Sequence, residues 1–212
     1  MEKDFWLSKW EMNQIGFHQD EYNPNLMEYL PHYLTDHHSK PNVLVPLCGK
    51  TKDIIYLANH AQKIIGVELA EKACHDFFIE NALQFDVQEV NENIKVYRSL
   101  NIELYCGDIF NIDENVFKDI DLIYDRASLV ALPQEMRTKL YQLYKKLLKN
   151  DTRLYAITFE YDQSQMQGPP FSISTNEFEE EFKNFHLKHL SSSKTNFGEN
   201  KIDFHHHTYE VR

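Results

Sequence analysis

With 212 residues, 42% of them apolar and 13% aromatic, the chain is long enough to bury a core as one domain over residues 1–212. A formal net charge of −11 argues against nucleic acid as a partner, because phosphate binding needs concentrated Lys and Arg. No run of about 18 apolar residues could span a membrane, MEKDFWLSKW lacks the apolar centre of a signal peptide, and Cys48, Cys74 and Cys106 form no C-x-x-C pair, so a reduced, cytoplasmic protein without a disulfide framework or cysteine zinc site is expected.

Trp6 and Trp10 stand four residues apart, the spacing of one face of an N-terminal helix. Val43, Leu44 and Val45 make a short apolar strand that breaks at Gly49 and continues as Lys50-Thr51-Lys52-Asp53. The P-loop pattern G-x-x-x-x-G-K-[ST] needs glycine where this chain has Leu44, so the triphosphate-loop reading fails and strand, tight turn and helix remain. That helix runs from Asp53 to His60, with Ile54, Ile55, Leu57 and Ala58 at helical spacing. Lys63 to Leu69 is a second strand carrying Glu68 at its end, and Glu71 to Gln84 a helix burying Ala73, Phe77 and Leu83. Val87 to Leu100 is an extra polar segment. Ile102 to Tyr105 is a third strand stopping at Gly107-Asp108, and Asp121 to Asp125 a fourth. Beyond Pro133, Met136, Leu140, Leu143, Tyr144, Leu147 and Leu148 fall on a helix, with Asn150-Asp151 as the turn into a fifth strand, Arg153 to Phe159. Ser174 and Glu177 make a capping box for a short helix that buries Phe178, Phe182 and Phe185. Two β-like segments, His186 to Ser191 and Ile202 to Val211, flank a turn at Asn196 to Asn200.

Strands alternating with helices predict an α/β domain with a mainly parallel sheet. Five parallel strands plus the terminal hairpin make a seven-stranded sheet, which resembles the class I methyltransferase (Rossmann-like) fold more than an NAD-binding fold. In open α/β sheets ligands sit outside the carboxyl ends of the strands. Four such ends carry distinctive residues: Leu47 to Gly49, Glu68, Asp108 and Asp125-Arg126. Glu68 lies 19 residues after Gly49, close to the offset at which a carboxylate reaches ribose hydroxyls, and its charge would repel a 2′-phosphate. Plainer roles compete at each position. Trp6 and Trp10 suit a buried helix face, Arg126 beside Asp125 suits a structural ion pair, and Cys48 suits a buried small residue better than a nucleophile, having no paired base nearby. His205, His206 and His207 on one strand would alternate faces, so no metal is assigned to them.

Six blocks carry a wider resemblance: WLSKWEMNQIGFHQ (Trp6 to Gln19), VPLCGKTKD (Val45 to Asp53), GVEL (Gly66 to Leu69), LYCGDIF (Leu104 to Phe110), YDRASLVALP (Tyr124 to Pro133) and GPPFSI (Gly168 to Ile173). In this order they resemble the bacterial type of the thiopurine S-methyltransferase family over nearly the whole chain. The resemblance implies S-adenosyl-L-methionine as cofactor, S-adenosyl-L-homocysteine as product, and a single methyltransferase domain whose segment 1–40 forms a helical lid. It implies that Trp10 and the turn at Leu47 and Gly49 meet the methionine end, with Trp6 and Phe17 in the same aromatic lid. Glu68 would hold the ribose, and Asp108 with Ile109 would border the adenine. Arg126 matches an arginine between cofactor and acceptor, and Phe17, Pro169 and Pro170 match the acceptor pocket. At Gly107-Asp108 some family members carry other small polar residues, which leaves the adenine contact less firmly matched than the ribose contact.

Methyl transfer from a sulfonium to a thiolate turns a cation and an anion into two neutral molecules, so a dry, aromatic-lined site suits it. Arg126 is expected to favour the thiolate and orient a small-molecule thiol. Three readings stay open: an S-methyltransferase acting on thiopurine-like thiols or on selenium or tellurium species, or a halide or thiocyanate methyltransferase as its variant; an NAD-dependent oxidoreductase, which lacks G-x-G-x-x-G here; and a non-enzymatic nucleoside-binding protein. A monomer is expected, since no apolar heptad or pairing edge strand stands out.

Overall fold

Val43, Leu44 and Val45 lie buried in β1 (Asn42–Val45), which runs parallel to β2 (Lys63–Glu68) with Val43 opposite Ile64. Strands covered on both faces read as unbroken apolar runs, which is why both are legible without alternation. The computed structural model that shows this describes residues 3–36, 39–149, 151–197 and 201–212. It divides the chain into two units, Met1–Asp121 and Leu122–Arg212.

The first unit opens with α1 (Lys3–Glu11) and α2 (Pro24–Asp36), followed by β1, α3 (Asp53–His60), β2 and α4 (Glu71–Glu80). The hairpin β3 (Asp86–Asn91) and β4 (Ile94–Ser99) then leads into β5 (Ile102–Cys106). Its strands lie in the order β3-β4-β5-β2-β1, with β2 parallel to β1 and β5, and β4 antiparallel to β3 and β5. Helix α3 has the bounds its periodicity predicts. Helix α4 ends at Glu80 rather than Gln84, because the Asn81 side-chain amide donates to the Phe77 carbonyl at 2.7 Å and Ala82 turns to φ +53°. Leu83 is accordingly only half-buried.

The polar segment 87–100 is a correction to the expected strand count: it supplies β3 and β4, giving nine strands among the described residues instead of seven. Every residue of β3 faces solvent, so that strand shows no apolar signal. Ile94, Val96 and Tyr97 of β4 are buried, and Tyr97 packs with Phe85 (5.7 Å), which in turn stacks on Phe78 of α4 (5.0 Å). Helix α2 has a start signal that sequence reading passed over: Pro24 is its first residue, and the Asn23 carboxamide accepts from Asn25 N at 2.9 Å.

The second unit holds β6 (Leu122–Asp125), α5 (Ser128–Ala131), α6 (Gln134–Leu147), β7 (Arg153–Glu160), α7 (Thr175–Glu181), β8 (Leu187–Phe197) and β9 (Ile202–Val211). Its strand order is β6-β7-β9-β8, parallel between β6 and β7 and antiparallel beyond, as a terminal hairpin predicts. Asn150 and residues 198–200 of the expected turns lie outside the described residues, as do residues 1–2 and 37–38 of the 1–40 segment. Ser174 caps α7, its hydroxyl accepting from Glu177 N at 3.1 Å, but the Glu177 carboxylate takes Arg137 Nε at 2.8 Å instead of closing the box. Phe178 and Phe182 are buried as predicted, with Phe178 stacked on Tyr209 at 4.3 Å, while Phe185 is half-buried. Among the described residues no helix is long and apolar enough to cross a membrane.

Candidate active site

In the first unit, the turn after β1 is built from backbone that only a well-held segment adopts. Leu47 has φ +43° and Gly49 φ +53°. A left-handed leucine costs on the order of 1–2 kcal/mol, so its neighbours must hold it. Three hydrogen bonds do so: Cys48 N donates to Val67 O (2.9 Å), Gly49 N to Glu68 Oε2 (2.8 Å), and Thr51 N to Cys48 O (3.3 Å). Sequence reading identified Gly49 as the residue needing freedom; Leu47 gives no such signal because leucine is seldom left-handed. A Cβ placed on Gly49 would stand 3.1 Å from Cζ2 of Trp10, so the absence of a side chain there lets the indole lie on the turn.

Glu68 ends β2 almost wholly buried, and each carboxylate oxygen takes one backbone N–H, Oε2 from Gly49 and Oε1 from Ala70, both at 2.8 Å. Burial pushes its carboxyl above the usual carboxylate range, and the backbone donors at Ala70, Gly49 and Leu69 pull it back. Each oxygen keeps acceptor capacity beyond its backbone bond, the requirement for gripping two vicinal hydroxyls. The next strand end is joined to this one, since Gly107 N donates to Glu68 O at 2.8 Å. Gly107 is needed on its own account, because a Cβ there would come within 3.1 Å of Asn93 O in the β3–β4 turn. Asp108 Oδ1 accepts from Phe110 N at 3.1 Å and caps a short 3₁₀ turn, Ile109–Asn111, in which Ile109 is buried. Asp108 Oδ2 lies 2.9 Å from Lys3 Nζ, a partner that sequence reading missed. A lone exposed lysine at the start of a helix carries no pattern that announces it.

The four aromatic residues Phe5, Trp6, Trp10 and Phe17 form an edge-to-face chain. Trp6 meets Phe17 at 5.4 Å and Phe5 at 5.3 Å, and Trp10 meets Phe17 at 5.6 Å. Trp10 is 4% exposed and packs on Ala70 and Ala73, so the plain reading of a buried helix face also holds for it. Trp6 is half-buried and Phe17 is 45% exposed. The turn has further ties on its far side: Lys50 Nζ reaches Glu80 Oε1 at 2.6 Å, and Asp53 Oδ1 accepts from Asn23 N at 2.8 Å. Cys48 is buried with its sulfur against Gly66, and desolvation, reinforced by the Glu68 charge, pushes its thiol well above the ordinary value. It is therefore a packing thiol, not a nucleophile.

In the second unit, Asp125 is fully buried at the end of β6, its Oδ1 accepting from Ser128 N at 2.8 Å and its Oδ2 from Tyr144 OH at 2.6 Å. Desolvation raises its carboxyl to about 6. These bonds fix the chain around half-buried Arg126, between β6 and α5. The segment holding half-buried Pro169 and Pro170 is tied to α5 by Phe171 N donating to Val130 O at 2.6 Å, and to β7 by Ile173 N donating to Phe159 O at 2.7 Å. The second unit thus brings the diproline segment to the short helix that follows Arg126. On β9, His206 packs with Phe159 (4.9 Å) while His205 and His207 share the opposite face, as alternation requires. Among the described residues, no cluster of His, Cys, Asp and Glu is placed to hold a metal ion.

The model of the thiopurine S-methyltransferase family matches residues 1–210. A thiopurine S-methyltransferase of Pseudomonas putida is 40% identical over 192 residues, covering 91% of this chain and 88% of that one. One of Pseudomonas fluorescens is 44% identical over 173 residues, covering 82% and 78%. Among solved structures, the Burkholderia thailandensis 1,6-didemethyltoxoflavin-N1-methyltransferase, with bound 1,6-didemethyltoxoflavin and S-adenosylhomocysteine, superposes with a TM-score of 0.66 at 15% identity, covering 99% of this chain and 86% of that one. The fold is that of class I methyltransferases.

Proposed function

The chain belongs to the thiopurine S-methyltransferase family, and on that premise we propose that it moves the methyl group of S-adenosyl-L-methionine to the sulfur of an aromatic or heterocyclic thiol, with S-adenosyl-L-homocysteine as product. The observation that carries the reading is the joined pair Gly49 and Glu68: a side-chain-free turn whose N–H is bonded to a buried carboxylate with acceptor capacity left for ribose hydroxyls. The residues fit the cofactor on three counts. Gly49 leaves room under Trp10, Glu68 offers paired acceptors, and Asp108 with Ile109 follows the end of the neighbouring strand β5.

When bound, the cofactor supplies an electrophilic methyl group on a sulfonium. Glu68 holds the ribose, and Leu47, Gly49 and Trp10 border the methionine end. Of the two indoles, half-buried Trp6 is the one with ring surface left for a cation, an attraction worth about 0.5–2 kcal/mol. By their match to the family, Phe17 in the first unit and Pro169 and Pro170 in the second are acceptor-lining residues, and Arg126 would favour the thiolate and set its orientation. No strong general base is required for an acidic aromatic thiol that is already ionised. Alignment of the reacting atoms supplies the larger share of the rate, on the order of 7–11 kcal/mol.

The test is a thermal-shift titration with S-adenosylhomocysteine and NAD, followed by methyl transfer to 6-mercaptopurine. Ligand at about 100 times its dissociation constant adds roughly 2.7 kcal/mol, a shift of a few degrees. Stabilisation by S-adenosylhomocysteine alone, with turnover of the thiol, supports the reading. Stabilisation without turnover sends the acceptor to the halide or thiocyanate class, and no stabilisation removes the cofactor assignment.

A further inference from the structure

Residues 161–173 form a loop that is closed on itself. At its base, Tyr161 N donates to Ser172 Oγ (3.0 Å) and Ser172 Oγ to Tyr161 O (2.8 Å). The Gln163 side chain spans the interior, its Oε1 accepting from Ser172 N (2.8 Å) and its Nε2 donating to Tyr161 OH (2.8 Å) and Met166 O (2.5 Å). Tyr161 OH then donates to Pro170 O at 2.6 Å. Proline has no N–H, so a diproline can be fastened only through its carbonyls, and Pro170 has its carbonyl held by this one phenol. The Tyr161 ring is itself fixed, buried and stacked on Phe204 at 5.0 Å. Gly168 completes the loop with φ +77°, where a Cβ would strike the Phe171 ring at 2.8 Å.

We propose that Tyr161, oriented by Gln163, is a positioning residue for the methyl acceptor: it locks Pro169 and Pro170 into a rigid apolar wall against which a planar thiol is aligned. This rests on the reading of Pro169 and Pro170 as acceptor-lining residues. The hydroxyls of Tyr161 and Ser172 are both spent on carbonyls of the loop itself, so they act on the diproline and not on the acceptor. A rigid wall matters because small displacements of an acceptor from the line of attack cost rate steeply.

The experiment uses the full chain as wild type, Y161F and Q163A, with 6-mercaptopurine and the smaller thiophenol as acceptors. Steady-state kinetics are paired with a calorimetric Kd for S-adenosylhomocysteine. Loss of the one hydrogen bond in Y161F should raise the acceptor KM roughly three- to tenfold, in line with the net worth of such a bond. The effect should be larger for the bicyclic acceptor, with kcat lowered as well because alignment is lost, and the S-adenosylhomocysteine Kd within about twofold of wild type. Gln163 is exposed, so Q163A opens no cavity in the core, and it should shift the same parameter in the same direction. An unchanged acceptor KM in an active enzyme overturns the inference, as does a parallel rise in KM and Kd, which a merely structural role would produce. Wild type that methylates neither thiol overturns the acceptor assignment itself, and the inference with it.

Discussion

Glu68→Gln is the most direct test of the cofactor site. The carboxylate accepts from Gly49 N and Ala70 N, one bond per oxygen, in a buried position. An amide has a single oxygen, so whichever way it turns, one backbone N–H faces another donor. Leaving a buried donor unmet costs about 1–3 kcal/mol of stability. The ribose loses a charge-assisted partner at the same time, worth about 1.5–3 kcal/mol, or roughly a 10- to 150-fold rise in the S-adenosylhomocysteine Kd. Calorimetric titration at pH 7.5, with a urea unfolding curve on the same preparation, separates the two effects. A folded E68Q protein that binds S-adenosylhomocysteine within twofold of wild type would falsify the assignment of Glu68 to the ribose.

Gly49→Ala tests the turn: with φ +53° and Trp10 Cζ2 3.1 Å from the new Cβ, it should lower stability by about 1–2 kcal/mol in urea and weaken S-adenosylhomocysteine binding, and a neutral result on both would show that Trp10 does not need the glycine. Asp125 has its folded carboxyl raised to about 6, so its contribution is fully present below the unfolded value near 3.9 and is lost as pH rises through about 6. The stability of D125N relative to wild type should therefore improve by about 2 kcal/mol between pH 4 and pH 7.5; a difference independent of pH would mean that Asp125 is not titrating there. Glu177→Gln leaves the buried Arg137 guanidinium without its carboxylate, at a cost on the order of 3 kcal/mol, and a urea midpoint matching wild type would deny that pair any structural weight. Arg126→Lys should raise the acceptor KM or move the pH profile upward while the protein remains folded, and identical kinetics across pH would dismiss its role toward the thiolate.

How far the fold was legible follows from which residues broadcast a period. The strands β1, β2, β6 and β7 announce themselves as apolar runs because they are covered on both faces, β5 by alternation of buried Ile102, Leu104 and Cys106, and α3 and α6 because their buried stripes recur at helical spacing. The β3–β4 hairpin stayed hidden since β3 is exposed along its whole length and only Ile94, Val96 and Tyr97 of its partner are buried. On α6, the inward positions include Arg137 and Tyr141, a charged and a polar residue, satisfied by Glu177 at 2.8 and 3.3 Å. A hydrophobicity pattern has no means of counting a buried arginine as core, because its burial depends on a partner forty residues away in sequence.

The same distinction separates the parts of the site. Gly49 and Glu68 are legible because their chemistry needs a particular residue at a particular strand end, and the 19-residue offset ties one to the other. Their direct hydrogen bond at 2.8 Å is the consequence: in parallel neighbours such as β1 and β2, the turn leaving one strand comes level with the last residue of the other. Residues that act through a partner leave no such mark. Leu47 takes a left-handed conformation only because Cys48 and Gly49 are held by Val67 and Glu68; Lys3 matters only where α1 brings it to Asp108; and Tyr161 reaches Pro170 only because Ser172 closes the loop between them. Each such position is specified by tertiary contacts that sequence spacing does not encode. They are accordingly the places where substitution tests the three-dimensional arrangement and not the motif.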